Sequence, residues 1–188
     1  MRYLAGTADL CLIIGNWTDV DYRFLAGFHV NADASHKNAE LAFRGITGIG
    51  VFAFGTLLLT RSFVQDQVAA SSCESEYYSY STAVKDLEYL RLLLRDLLIF
   101  PDDAPAPTMF VDSEPAMAIS QGPTHRSRTK HIDFTKALLR DYVQRGRVVP
   151  EHCPTDSQIA DIWTKQIGPG PFMVFRSRFM GLVPYLHT

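Results

Sequence analysis

SSCESEYYSYSTAVKDLEYLRLLLRDLL, running from Ser71 to Leu98, is the stretch on which the fold turns. It opens with Ser71-x-x-Glu74, a pattern in which a hydroxyl and a carboxylate satisfy free backbone N–H groups at a helix start. Tyr80, Ala83, Val84, Leu87, Leu90, Leu94 and Leu97 then recur at intervals of three and four. That spacing predicts one long helix, Ser72 to about Leu98, with a single apolar face. Glu76 stands one turn before Tyr80 on that face, and the cap residues leave it without a structural task. Burying a carboxylate alone costs on the order of several kcal/mol. Its position therefore points to a cation shared with other carboxylates.

Upstream of this helix the pattern is extended. Leu25–Asp33 alternates Phe28, Val30 and Ala32 against His29, Asn31 and Asp33, which predicts a strand. Gly50–Phe54 and Leu57–Arg61 read as two further strands joined by Gly55-Thr56, a type II′ hairpin. Downstream, Pro101–Pro107 is a linker that no helix crosses. Thr108–Val111 is a short apolar strand ending at Asp112, followed by a short helix over Glu114–Ser120 and a polar loop over Gln121–Lys130. Helical spacing returns over Ile132–Gln144, Gly146 ends it, and Val148-Val149 opens a last strand. Thr155 and Gln158 form a second capping box for a final helix reaching about Lys165, with Ile159, Ile162 and Trp163 facing inward. Strands followed by alternating strands and helices make a mixed sheet with helices packed on it. Asp33 and Asp112 each end a strand; if those strands are parallel neighbours, both carboxylates meet at the carboxyl edge of the sheet.

Composition narrows the function classes. Eighteen Lys and Arg against 20 Asp and Glu leave a net charge of −2, so a nucleic-acid site has to be local. The cysteines, Cys11, Cys73 and Cys153, are odd in number and lack CxxC spacing, which speaks for reduced thiols and against a disulfide framework or zinc site. The histidines lack the i,i+4 spacing of a zinc helix, and Cys73 beside a cap reads as packing. No apolar run reaches a membrane span of roughly 18–20 residues, and MRYLAGTADL has no signal-peptide pattern. The expectation is a soluble intracellular protein.

Asp33, Glu76, Asp112 and Asp161 lie on a strand end, a helix first turn, a second strand end and a helix. In this setting the sequence resembles the ribonuclease H domain of copia-type retrotransposon polyproteins. The matching blocks are VNADAS (Val30–Ser35), the helix from Ala70 to Leu97, FVDSEPAMAI (Phe110–Ile119), HRSRTKHIDF (His125–Phe134) and PTDSQIADIWTK (Pro154–Lys165). RYLAGTADLCL at the start resembles the end of a reverse transcriptase portion. The resemblance implies a ribonuclease H-like α/β fold with a five-stranded mixed sheet over residues 23–168. It also implies a reverse transcriptase remnant over 1–22 and a C-terminal tail over 169–188.

The resemblance also implies chemistry: endonucleolytic cleavage of the RNA strand of RNA–DNA hybrids with two magnesium ions, for which manganese can substitute. Asp33, Glu76, Asp112 and Asp161 become the metal ligands. Asn31 stands two residues before Asp33, where some relatives carry an acid, so two placements of the first ligand stay open. Hard Mg2+ prefers carboxylate oxygen, and two such ions about 3.5–4 Å apart activate water and stabilise the leaving oxygen. Arg126, Arg128, Lys130 and His131 concentrate positive charge in one stretch, which suits phosphate contacts that position a hybrid without reading sequence. The implied partners are the hybrid and the reverse transcriptase domain of the same polyprotein, with no membrane; the implied location is intracellular, in a cytoplasmic virus-like particle if the chain is part of an active element.

The sequence also departs from the family pattern. Leu58-Leu59-Thr60 stands where a third-strand tryptophan is usual, and Phe63-Val64 replaces a basic pair after Ser62. Fewer cations weaken hybrid binding more than chemistry, so an inactive hybrid-binding or polymerase-docking module from a decayed element is the alternative. An integrase-like DNA strand-transfer domain is disfavoured because the glutamate lies on the first long helix.

Overall fold

A computed structural model of the chain describes residues 28–38, 43–113 and 130–180, without the side chains of 37–38 and 130–136. Its elements are β1 (His29–Asn38), β2 (Arg44–Ala53), β3 (Thr56–Val64), α1 (Ser72–Asp96), β4 (Thr108–Val111), α2 (Lys130–Gln144), β5 (Val149–His152), α3 (Asp161–Thr164) and α4 (Pro169–Phe179). The strands form one five-stranded sheet in the order β3-β2-β1-β4-β5. β1, β2 and β3 pair antiparallel, whereas β4 is parallel to both β1 and β5. The mixed sheet expected from the element order is therefore present. Among the described residues, no helix is long and apolar enough to cross a membrane.

Side chains of a strand alternate between the two faces of its sheet. Val30, Ala32, Ile49 and Val51 share one face and bury against Tyr77, Tyr80, Ala83, Val84 and Leu87 of α1, with Leu139 of α2 completing that core. The opposite face carries Phe52, which packs with Ile159 and Phe175 in a smaller cluster that Trp163 joins. Both faces of β1 are thus covered, and its polar residues His29, Asn31 and Asp33 are as buried as the apolar ones between them. Alternation along β1 distinguishes two buried faces instead of a buried and a wet one.

Close approach on the second face depends on glycine. A Cβ on Gly50 would enter the ring of Trp163, and one on Gly48 would meet Thr164 Cγ2. These two bare positions let α3 settle directly on β2.

Several sequence expectations need correction. Asp33 does not end its strand: β1 continues to Asn38, held by antiparallel pairing with β2 out to Asn38↔Arg44. The hairpin turn is Phe54-Gly55, with φ of 57° and 70°, so it is type I′. Phe54 accepts the left-handed conformation because its ring packs on Phe100, centroids 5.4 Å apart. The helix expected from Thr155 to Lys165 is broken. A single 3-10 turn over Thr155–Ser157 gives way to an extended residue at Gln158 before α3 begins. The expected capping box does not form: the Gln158 N–H donates to the Thr155 carbonyl, and the Gln158 side chain is engaged in the sheet. Residues 169–179, within the stretch expected to be a tail, form α4 and bury Phe175 to 4% exposure. The helix expected over 114–120, and most of the loop expected over 121–130, lie outside the described residues.

Candidate metal centre

The start of α1 is anchored before its acid is presented. Ser71 Oγ accepts from the Glu74 N–H at 3.1 Å, and Glu74 Oε2 accepts from the Ala70 N–H at 2.7 Å. The reciprocal cap is therefore real, although the carboxylate reaches one residue further back than the standard box. Gln65 Nε2 donates to Thr47 Oγ1 and to Ser75 O, and Ser75 Oγ donates to Gln65 Oε1, tying this helix end to β2 and β3. Ser79 Oγ donates to the Asp33 carbonyl at 2.8 Å, tying it to β1. Fixed at both points, α1 turns Glu76 inward to 8% exposure beside the Tyr80 ring.

β1 and β4 bring two further acids to the same edge. Their parallel register runs from His29↔Thr108 to Asn31↔Phe110, and two residues further along each strand stand Asp33 and Asp112. Asp161 arrives from the other face on α3, which lies over Gly48 and Gly50. One oxygen each from Asp33, Asp112 and Asp161 falls within 4.8 Å of the others. Glu76 is outside that triad but close enough to feel Asp33 and Asp112.

The electrostatics are those of crowded, buried anions. Burial, then Asp33 and Asp112, push the Glu76 carboxyl up to about 9. Asp161 rises to about 6, again chiefly through burial, against the pull of Lys165. Asp112 is also raised, by burial and then by Asp33. Glu76 Oε2 and Asp112 Oδ1 are buried without a hydrogen-bond partner. Unsatisfied buried carboxylate oxygens are costly. A hard divalent cation would satisfy both and relieve the repulsion, so the donor set fits magnesium or manganese.

The arrangement of sheet and helices has counterparts among solved structures. The compost-derived LC11 ribonuclease H1 aligns with a TM-score of 0.52 at 20% identity, covering 73% of this chain and 91% of that one. Ribonuclease H1 from Halobacterium salinarum aligns at 0.51 with 11% identity, over 73% of this chain and 93% of that one. The fold is ribonuclease H-like. The foamy viral protease–reverse transcriptase, solved with an RNA/DNA hybrid, also aligns at 0.51 and 11% identity, covering 86% of this chain and 22% of that one. No protein-family model matches the sequence. In sequence the chain resembles retrovirus-related Pol polyproteins from transposons. It is 28% identical over 97% of its length to that of transposon RE2 of Arabidopsis thaliana. It is 26% identical over 92% of its length to that of transposon TNT 1-94 of Nicotiana tabacum. The chain spans 12% of the length of each of these two relatives.

Against this ribonuclease H-like frame, Asp33, Asp112 and Asp161 converge and Glu76 flanks them. Asn31, the other placement of the first ligand, instead donates from Nδ2 to Gln158 Oε1 at 3.2 Å and is fully buried. Arg126 and Arg128 lie outside the described residues, as do the side chains of Lys130 and His131, whose backbones open α2.

Three neighbours of the acids escaped the sequence reading. Lys165 Nζ lies 2.8 Å from Asp161 Oδ1 and 3.4 Å from Asp33 Oδ2. Burial opposes its charge, yet Asp161 and Asp33 hold the ammonium above its ordinary range. Thr164 Oγ1 donates to Asp33 Oδ2. Gln158 holds the strands below. Acid-then-base i,i+4 spacing was the available signal for Lys165; for Thr164 and Gln158 the sequence carried none.

Proposed function

We propose that the chain is a ribonuclease H-type endonuclease that hydrolyses the RNA strand of RNA–DNA hybrids, as part of a retrotransposon Pol polyprotein. The observation that carries this reading is the meeting of Asp33, Asp112 and Asp161 oxygens within 4.8 Å at the carboxyl edge of a ribonuclease H-like sheet. Asp33, Glu76, Asp112 and Asp161 would hold the divalent ions. When bound, two such ions supply an activated water and charge stabilisation for the leaving oxygen of an in-line displacement at phosphorus. The protein's own contribution is placement. β1 and β4 fix two aspartates, α1 aims Glu76, and Thr164 and Lys165 orient Asp33.

Structural relatives support the substrate class, since LC11 ribonuclease H1, at a TM-score of 0.52, has been solved in complex with an RNA/DNA hybrid. Arg126, Arg128, Lys130 and His131 are proposed to contact its phosphates, and the reverse transcriptase portion of the polyprotein to share the grip.

The test is cleavage of an RNA–DNA hybrid in Mg2+ by the wild-type chain and by Asp112→Asn and Glu76→Gln. Cleavage should vanish in both variants while circular dichroism reports an intact fold. Hybrid binding without cleavage by the wild type, at any Mg2+ or Mn2+ concentration, would establish the inactive docking module instead.

A further inference from the structure

Gln158 is fully buried, and its single carboxamide reaches every segment that carries an aspartate of the triad. Nε2 donates to Ala32 O at 3.2 Å and to Phe110 O at 3.4 Å. Oε1 accepts from Asn31 Nδ2 at 3.2 Å and from the Ala160 N–H at 3.3 Å. Ala32 immediately precedes Asp33, Ala160 immediately precedes Asp161, and Phe110 lies two residues before Asp112.

The location explains why an amide is needed. The parallel β1–β4 register ends at Asn31↔Phe110, the last rung before the acids. To seat Asp33 and Asp112 around a common point, the strands must stop zipping there. Past that rung the β1–β4 ladder supplies no further donors, and a buried carbonyl at such a level gains from a side-chain donor. Gln158 places two amide hydrogens between the strands at that level and uses its oxygen to hold the turn that delivers Asp161. A carboxylate there would offer no hydrogens to the two carbonyls, and an aliphatic side chain would offer nothing.

We propose that Gln158 is a positioning residue of the metal centre: its carboxamide sets the spacing of Asp33, Asp112 and Asp161 and thereby the site's affinity for divalent cations. The inference rests on the reading of the site as a metal-dependent nuclease. Outer partners of metal ligands typically change affinity or activity by about 10–100-fold when removed.

The experiment compares the wild-type chain, Gln158→Met and Leu139→Ala by calorimetric Mn2+ titration well below their melting temperatures, and then by hybrid-cleavage kinetics. Leu139, fully buried on the α2 side of the core, controls for lost stability alone. Gln158→Met should bind Mn2+ about tenfold more weakly and lose at least about tenfold in kcat. Its KM for the hybrid should stay within about twofold, and Leu139→Ala should bind Mn2+ as the wild type does. Unchanged Mn2+ affinity in a folded Gln158→Met would overturn the inference and leave the nuclease reading standing. A wild-type chain that binds no Mn2+ would sink the nuclease reading, and the inference with it. Should Gln158→Met not fold, Gln158→Glu takes its place at pH 6, where a buried, protonated carboxyl keeps one donor and an intermediate loss of affinity is expected. If neither variant folds even with Mn2+, Gln158 is a folding residue only and the proposal falls.

Discussion

Glu76 carries its carboxyl into a place where one oxygen meets no donor, and the consequence is measurable as pH dependence. In the fold it keeps its proton up to about 9, against an ordinary 4.5. Between those values the folded chain binds more protons than the unfolded one, so stability falls as pH rises. The contribution is complete below 4.5 and lost as pH rises through about 9. Asp161, raised to about 6, acts in the same direction over a lower window. In chelator, the melting temperature should therefore decline from pH 5 to pH 9, and Glu76→Gln should flatten that decline. A wild-type profile without slope over this range would contradict the burial assigned to Glu76.

At the scale of single elements, the end of α1 shows a local conflict between sequence and conformation. Ile99 N–H donates to Leu94 O and Leu98 N–H to Arg95 O, the paired bonds of a Schellman motif. The left-handed position of that motif is usually glycine, but here it is Leu98, with φ of 59° and 91% exposure. With little packing to lose, Leu98→Gly should stabilise the chain by about 1 kcal/mol. At this chain length that corresponds to a rise of roughly 2–4 °C in melting temperature. The reverse case is Gly50 in β2, whose bare Cα accepts the Trp163 ring. Gly50→Ala should cost about 1–3 kcal/mol by overpacking, read from the denaturant midpoint. It should also weaken Mn2+ binding, because Trp163 and Asp161 share α3.

Over the whole molecule, two layers on opposite faces of one sheet have different tasks. The α1 and α2 layer supplies the main core. The second layer, α3 and α4, is thinner and places Asp161 while Phe175 closes it over Phe52 and Ile159. Phe175→Ala should cost about 3–5 kcal/mol, by loss of burial and the cavity left behind. Because that cluster supports α3, the variant should also lose hybrid cleavage more steeply with temperature than the wild type.

The order of the elements implied the mixed sheet. Periodicity and capping sufficed to predict the long helix and the short strand before Asp112, since those features depend on residues close together in the chain. The setting of Glu76 near the start of the long helix was legible for the same reason. What only the tertiary structure decided were relations across long separations. Gln158 reaches Asn31, which lies 127 positions away, instead of capping its own helix. Asp33 lies within its strand rather than at the end, because β2 keeps pairing past it. Trp163 finds its place only because Gly50 has no side chain. Local pattern records which backbone conformation a segment favours; it does not record which distant carbonyl a buried amide will satisfy, because that partner exists only once the sheet has assembled.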